Sequence, residues 1–254
     1  MGTLTGKVGL VVGIANEHSI AYGCARAFRD AGADLAATYL NGKAEGYVRP
    51  LAEQLGCPII MPLDVTMPEQ QEALFAAIQQ RWGRLDFLLH SIAFAPKQDL
   101  QGAFLDCSGA GFASAMDISC HSLVRLVRSA APLMAKGGSI LTMSYYGAVK
   151  VEPGYNLMGP VKAALEGCVR YLAGELGERQ IRVNALSPGP IMTRAASGLS
   201  HFDELMMAAA AKAPLDQLAT IDDVGAAAAW LVSDQARRVT GQVIYVDGGT
   251  SIVG

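Results

Sequence analysis

Charge is scarce in this 254-residue sequence, in which Asp, Glu, Lys and Arg together make up 17% of the residues. The 20 basic residues do not outnumber the 23 acidic ones, so the chain lacks the positive excess that binding to nucleic acid requires. A disordered chain is excluded as well, because 51% of the residues are hydrophobic. At this length, one large domain can bury most of its apolar surface.

Paired cysteines, clustered histidines and long apolar runs are also missing. The five cysteines and four histidines are scattered without a Cys-x-x-Cys pair, which argues against a disulfide framework and a metal site. Apolar runs such as residues 224–232 are much shorter than the roughly 18 residues that span a membrane. We therefore expect a reduced, cytoplasmic protein with no metal, nucleic-acid or membrane partner. The cysteines are Cys24, Cys57, Cys107, Cys120 and Cys168.

What the sequence does contain is a regular alternation of short apolar runs and helical segments. This alternation is typical of βαβ units and of a parallel sheet covered on both faces. It predicts an α/β fold: a single Rossmann-like, doubly wound domain over residues 1–254, with a seven-stranded parallel sheet and helices on both faces. The ligand should lie beyond the carboxyl ends of the strands. The predicted strands are residues 7–13, 34–39, 59–62, 87–91, 139–144, 182–187 and 242–246, and the predicted helices are residues 20–31, 44–55, 68–82, about 112–134, 162–176 and 224–232.

The loop after the first strand has features of a phosphate-binding turn without the G-x-G-x-x-G pattern. Gly13 allows a tight turn, and Ser19 offers a hydroxyl at the start of the next helix, where free N–H groups attract an anion. Taken alone, the loop fits an ordinary βα connection with an N-capping serine equally well. Asp64, after the third strand, adds a carboxylate that can accept a hydrogen bond from an adenine amino group.

A Tyr-x3-Lys pair, Tyr146 and Lys150, follows the fifth strand, but it is not the reacting pair we expect. Pro153 comes directly afterwards, so no helix holds both side chains on one face. Tyr155 and Lys162 are better placed, because Tyr155 lies in a loop entering a helix and Lys162 lies near the start of that helix.

Short motifs along almost the whole chain resemble those of one family. They are Gly13 with Ser19-Ile20-Ala21-Tyr22-Gly23, His90-Ser91-Ile92, Ser144-Tyr145, Tyr155-Asn156, Met158-Gly159, Gly189-Pro190-Ile191 and Ala196-Ser197-Gly198. The chain resembles the short-chain dehydrogenases/reductases, and within that superfamily it is similar to the bacterial enoyl-(acyl-carrier-protein) reductases. The combination of spacings makes this resemblance specific.

This resemblance implies a homotetramer that uses NADH to reduce the trans-2 double bond of an enoyl thioester on acyl carrier protein, in fatty-acid elongation. Relatives that reduce carbonyls carry a Tyr and a Ser where this chain has Met158 and Tyr145, whereas enoyl reductases use Tyr-x6-Lys with a second tyrosine upstream. By resemblance, Tyr155 donates a hydrogen bond to the thioester oxygen and Lys162 binds the nicotinamide ribose. Tyr145 supports the oxygen, or is simply an aromatic packing residue.

The resemblance also implies the remaining binding residues. For the cofactor these are Gly13, Ser19, Ile20, Leu40, Asp64, Val65, Ser91, Ile92, Ala93, Lys162, Ile191 and Thr193. For the substrate they are Ala95, Tyr145, Tyr155, Met158 and Phe202, with a substrate loop and helix over about residues 190–213.

Three positions depart from the family's pattern. Pro160 stands between the tyrosine and the lysine, and we expect the helix to start there. The end of the second strand has only Lys43 and no arginine for a 2′-phosphate, which favours NADH over NADPH. Asp203 and Glu204 lie where relatives carry basic residues that can meet an acidic carrier protein, and like charges oppose docking. The alternative is a paralogous oxidoreductase acting on an enoyl-CoA or a carbonyl substrate.

Overall fold

The computed structural model describes residues 2–193 and 202–253, except for the side chains of residues 202, 203 and 205. Seven strands form one sheet in the order β3-β2-β1-β4-β5-β6-β7, and every neighbouring pair is parallel. The strand order reverses between β1 and β4, and doubly wound sheets bind ligands at such a reversal. The strands are β1 (Val8–Val12), β2 (Asp34–Tyr39), β3 (Ile59–Pro62), β4 (Phe87–His90), β5 (Gly138–Met143), β6 (Ile181–Pro188) and β7 (Val243–Val246).

Helices connect successive strands and pack on both faces of the sheet. A π-helical turn at Asp117–His121 joins α5 to α6 without a break in the helical path. Within the described ranges, no helix combines the length and apolar character needed to cross a bilayer. The helices are α1 (Ile20–Asp30), α2 (Gly42–Gln54), α3 (Pro68–Trp82), α4 (Lys97–Leu100), α5 (Gly109–Met116), α6 (Ser122–Ala130), α7 (Met158–Leu176), α8 (Phe202–Lys212) and α9 (Ile221–Val232).

Each face of the sheet has its own hydrophobic core. On one face, α3, α6 and α7 pack with Leu10 and Val12 of β1. On the other face, α1, α2 and α9 pack with Val11 of the same strand. Because alternate residues of a strand point to opposite faces, a strand buried on both sides is apolar throughout. This burial explains the uninterrupted apolar runs of the sequence.

The predicted architecture is confirmed, and residues 34–39, 59–62 and 68–82 coincide with β2, β3 and α3. The segment predicted as one helix over about 112–134 consists instead of α5, the π-helical turn and α6. The predicted helix start at Pro160 is wrong, because α7 begins at Met158. A proline is tolerated at the third helical position, since the first N–H groups of a helix have no intrahelical acceptor.

Candidate active site

The carboxyl ends of β1 and β4 meet closely where the predicted phosphate loop begins. Gly13 has a φ of +114°, and a Cβ at this position would lie only 2.0 Å from the carbonyl oxygen of Ser91. The Ser91 amide in turn donates to the Val12 carbonyl at 2.9 Å. A side chain at position 13 would push the two strand ends apart. The structure therefore brings the predicted cofactor residues Gly13 and Ser91 together.

Ser19 acts within the loop and not at the helix start. Its hydroxyl donates to the Asn16 carbonyl at 2.6 Å and accepts from the Ala15 amide at 3.3 Å. The hydroxyl oxygen thus accepts from a loop amide and from no amide of α1, so the alternative interpretation of Ser19 as a side-chain N-cap is wrong. Ile20 begins α1, and the first amides of that helix are left without a side-chain cap from Ser19. Such amides can bind an anion.

The ends of β2 and β3 hold the residues predicted to bind the adenosine. Leu40 follows β2 and is 54% exposed. After β3, one oxygen of the Asp64 carboxylate accepts hydrogen bonds from the Thr66 amide at 2.9 Å and the Thr66 hydroxyl at 2.7 Å. The next residue, Val65, is buried. This edge thus offers an exposed apolar side chain beside a carboxylate that is held in place.

A single hydroxyl fixes the segment that follows β4, where Ile92, Ala93 and Ala95 were predicted to bind cofactor and substrate. The Ser119 hydroxyl accepts from the Phe94 amide at 2.8 Å and donates to the Phe94 carbonyl at 2.9 Å. Ala93 is exposed, whereas Ile92 and Ala95 are partly buried against the core. The segment is therefore anchored through its backbone to the π-helical turn.

His90, the last residue of β4, is fully buried between two hydroxyl groups. Its Nδ1 lies 2.8 Å from Thr142 Oγ1, and its Nε2 lies 2.8 Å from Ser122 Oγ. The Ser122 hydroxyl donates to the Ile118 carbonyl at 2.6 Å, so it accepts from Nε2–H, and Nδ1 accepts from Thr142. Burial lowers the pKa of His90 to about 3, with a further lowering by the charge of Lys162. The ring is therefore neutral in the folded protein at physiological pH.

A neutral buried His90 predicts a loss of stability in acid. The unfolded chain binds a proton on this histidine below its ordinary pKa of 6.5, whereas the folded chain does so only near pH 3. Between these values its contribution should fall by about 1.4 kcal/mol for each unit that the pH drops. Urea unfolding at several pH values should show the difference in stability between the wild type and His90→Gln shrinking from pH 7 to pH 4. Parallel pH curves for the two proteins would contradict a neutral His90.

The two predicted tyrosines form a tilted ring pair. The ring centroids of Tyr145, which follows β5 by two residues, and Tyr155 are 4.6 Å apart, and the ring planes are tilted by 57°. Gly147 makes room for them, since a Cβ there would lie 2.5 Å from Cδ1 of Tyr155. Burial raises the pKa of both phenols above the ordinary value near 10. Both hydroxyls are therefore neutral at physiological pH and able to donate hydrogen bonds.

Lys162 lies on α7 and is almost completely buried, at 4% exposure. Its Nζ donates to the Met143 carbonyl at the end of β5 over 2.7 Å. Burial lowers the pKa of Lys162 to about 8, while Cys120 and Glu166 oppose that shift. The ammonium group is thus still mostly protonated near neutral pH, yet close to its titration.

A second hydrogen bond joins α7 to the segment at the end of β5, one helical turn after Lys162. The Ser144 hydroxyl donates to Glu166 Oε1 at 2.6 Å, and both residues are buried. The bond fixes the residue directly before Tyr145 to the helix that carries Lys162. Neither this bond nor the Ser119 anchor was predicted from the sequence. The one sequence signal for a role of Glu166 is its position four residues after Lys162, which puts both side chains on the same face of the helix.

The structure also shows the surroundings of Met158 and of the Tyr146 and Lys150 pair. Met158 is 5% exposed and packs into the core, so the place of the tyrosine in carbonyl-reducing relatives holds an apolar side chain. Tyr146 and Lys150 lie in a short turn after β5, with the Lys150 ammonium 5.5 Å from the centre of the Tyr146 ring. No helix carries this pair, as predicted. Tyr155 therefore has no rival four residues before Lys162.

The predicted substrate segment, residues 190–213, is described only in part. Ile191 is partly buried against the core that contains α1 and α9, and Thr193 ends the first described range. Residues 194–201 and the side chains of Phe202 and Asp203 lie outside the described residues. From Phe202 the chain forms α8, and Glu204 on this helix is exposed. Among the described residues, no group of three or more metal-binding side chains comes together.

The doubly wound parallel sheet, the glycine turn after β1 and the tyrosine and lysine at the carboxyl edge define a short-chain dehydrogenase/reductase. The sequence model of the family described as enoyl-(acyl carrier protein) reductase matches residues 13–251. The chain belongs to this family.

Individual members of the family are similar to this chain over nearly their full length. The chain is 48% identical to the enoyl-(acyl-carrier-protein) reductase (NADH) of Rickettsia conorii, covering 100% of this chain and 97% of the relative. It is also similar to the enoyl-(acyl-carrier-protein) reductase of Anaplasma phagocytophilum solved in complex with NAD, at 44% identity and a TM-score of 0.94, over 100% of this chain and 95% of that one. The Bacillus cereus reductase, solved with NADP+ and an indole naphthyridinone, is 44% identical with a TM-score of 0.97 and covers 100% of both chains.

Proposed function

We propose that this chain uses NADH to reduce the trans-2 double bond of an enoyl thioester on acyl carrier protein, in fatty-acid elongation. The observation that carries the proposal is the tilted ring pair Tyr145 and Tyr155, with centroids 4.6 Å apart. The buried Lys162 holds the same strand end, because its Nζ donates to the Met143 carbonyl two residues before Tyr145. Membership of the enoyl-(acyl carrier protein) reductase family supports the same reaction. The apolar Met158 disfavours a carbonyl reductase, because the phenol that such enzymes use is missing from that position.

The donors at the carboxyl edge fit a dinucleotide. An ammonium carries three N–H groups, and within the described residues Met143 accepts one of those of Lys162, which leaves donors for the ribose hydroxyls. The amides at the start of α1 suit a pyrophosphate. We propose NADH over NADPH, although the Bacillus cereus relative was solved with NADP+, because residues 38–43 contain no arginine. When bound, NADH supplies the hydride.

Tyr155 has the chemistry that the developing charge requires. Addition of hydride to the β-carbon of the enoyl thioester places negative charge on the thioester oxygen. A hydrogen-bond donor aimed at that oxygen stabilises the transition state more than the ground state. Because burial keeps the phenol of Tyr155 neutral, its O–H is available as this donor. Lys162 adds positive charge at the same strand end, and Tyr145 supports the thioester oxygen.

We propose that Ala95, Met158 and α8 contribute to the substrate site. We propose that residues 190–213, including Phe202, cover the acyl chain. Support comes from the chain path, since Ile191 packs on the core at the carboxyl edge and the end of α8 returns to the sheet, where the Leu215 amide donates to the Gly248 carbonyl at 3.2 Å. A homotetramer and a cytoplasmic location remain predictions.

The carrier is tested by following NADH oxidation with crotonyl-type substrates on acyl carrier protein and, in parallel, on CoA. We expect a higher kcat/KM on the carrier protein. The Glu204→Lys variant should raise kcat/KM for the carrier-bound substrate at low salt and leave the CoA substrate unchanged, because opposite charges steer association. Activity on CoA alone would mean that the enoyl chemistry is right and the carrier wrong. Inactivity on both substrates would contradict the proposed reaction.

A further inference from the structure

Two thiols face each other between the π-helical turn and α7, and the electrostatic effect of Cys120 on Lys162 places them beside the site described above. The Sγ atoms of Cys120 and Cys168 are 3.6 Å apart. Cys120 is buried, whereas Cys168 is partly exposed. Both are free thiols. The proposed reduction uses neither of them.

The two thiols differ in acidity because they share a hydrogen bond. The contact lowers the pKa of Cys168 and raises that of Cys120, whose burial adds to the rise. The shared contact therefore favours the thiolate on Cys168 over the thiolate on Cys120. A thiolate that solvent can reach, next to a second thiol, is the usual arrangement of an oxidation-sensitive pair.

We propose that Cys120 and Cys168 form an oxidisable dithiol, which a hydroperoxide converts reversibly into a disulfide that links the π-helical turn to α7 and lowers the activity. Disulfides in proteins of a reducing compartment are mostly transient and redox-sensing, which fits a bond of this kind. The regulatory part of this inference rests on the proposed function, whereas the formation of the disulfide does not.

The oxidation proceeds in two balanced steps. The Cys168 thiolate attacks one oxygen of the hydroperoxide, the O–O bond breaks, and the products are a sulfenic acid on Cys168 and, after proton transfer, an alcohol or water. The Cys120 sulfur then attacks Cys168 Sγ, the S–O bond breaks and one water leaves, formed when the departing hydroxide takes up the Cys120 proton. Two thiols are oxidised by two electrons and one peroxide is reduced. An added dithiol reverses the reaction by exchange.

The disulfide would act on the site through the π-helical turn. A disulfide requires an S–S distance of about 2.05 Å, so the sulfurs must approach each other by roughly 1.5 Å. Ser119, adjacent to Cys120, anchors the Phe94 backbone at 2.8 and 2.9 Å. The same helix that carries Cys168 carries Lys162. A shift of the turn toward α7 therefore displaces the segment predicted to bind the cofactor.

The test treats the full-length protein with hydrogen peroxide, alkylates the remaining thiols after unfolding, and measures the intact mass and the peptides. We expect the wild type to lose two alkylatable thiols and to yield a peptide that links Cys120 to Cys168. Cys120→Ser should yield no linked peptide. Cys107→Ser, which removes a partly exposed thiol outside the pair, should behave like the wild type. In parallel, peroxide treatment should remove most of the wild type's enzymatic activity with NADH, and dithiothreitol should restore it. The same treatment should leave the activity of Cys120→Ser and of Cys168→Ser largely unchanged.

The mass measurement separates failure of this inference from failure of the proposed function, because it needs no substrate. Absence of the linked peptide, with oxygen added to Cys168 alone, would overturn the dithiol. A linked peptide with unchanged activity would overturn the regulatory role. Equal loss of activity in the wild type and in both serine variants would mean that peroxide acts elsewhere, which also overturns it.

Discussion

Replacing Tyr155 with Phe should lower kcat by about 10²–10³-fold, the usual effect of removing one hydrogen-bond donor from a developing oxyanion. The phenol is neutral because burial raises its pKa, so it contributes a donated proton and not a charge. The ring itself stays, together with its packing against Tyr145 at 4.6 Å and against Gly147. Steady-state kinetics with a crotonyl thioester on acyl carrier protein measure the loss, and quenching of protein fluorescence measures NADH binding.

Tyr145→Phe is the matched control for this prediction. It removes a second phenol from the same ring pair, and we expect a much smaller loss of kcat because this hydroxyl only supports the oxygen. NADH binding should be nearly unchanged in both variants. Equal losses of kcat in the two variants would mean that Tyr155 is not the specific donor to the thioester oxygen. Full activity of Tyr155→Phe would mean that its hydroxyl has no role in the reaction.

Much of the fold follows from patterns that lie close together in the sequence. A short, mostly apolar run between two helical segments predicts a strand, and residues 34–39 and 59–62 coincide with β2 and β3. Pro68 marks the start of α3 because proline suits the first helical position. The place of Lys162 at the carboxyl edge follows from its position near the start of the helix after the predicted fifth strand.

The features that the sequence does not predict depend on competition between alternatives of similar energy. The Ser19 hydroxyl oxygen can accept from a loop amide or from an amide of α1, and it accepts from the Ala15 amide of the loop at 3.3 Å. The π-helical turn replaces the regular bonding by i→i+5 bonds, and no residue type in 112–134 marks where Ser119 and Cys120 leave the regular ladder. The bond between Ser144 and Glu166 joins residues 22 positions apart, and its formation depends on how α7 packs against β5.

Replacing Lys162 with Met should lower kcat/KM for NADH by about 10²-fold, which corresponds to the roughly 3 kcal/mol of a strong charge-assisted hydrogen bond. The unbranched apolar side chain fills the buried space but donates no hydrogen bond to the ribose. It also leaves the Met143 carbonyl without its partner at 2.7 Å, so the melting temperature must be measured alongside the kinetics.

The pH profile distinguishes the charge of Lys162 from its packing. Because burial lowers the pKa of this lysine to about 8, the wild type should lose kcat/KM for NADH as the pH rises through 8, whereas Lys162→Met should show no such limb. Glu166→Gln keeps an acceptor for the Ser144 hydroxyl but removes a neighbour that favours the ammonium form. Its alkaline limb should therefore move to lower pH, with little change in activity at pH 6.5. If the alkaline limb stays in place in Glu166→Gln and persists in Lys162→Met, the titrating group is not Lys162. That result would contradict a role for the Lys162 charge in binding NADH.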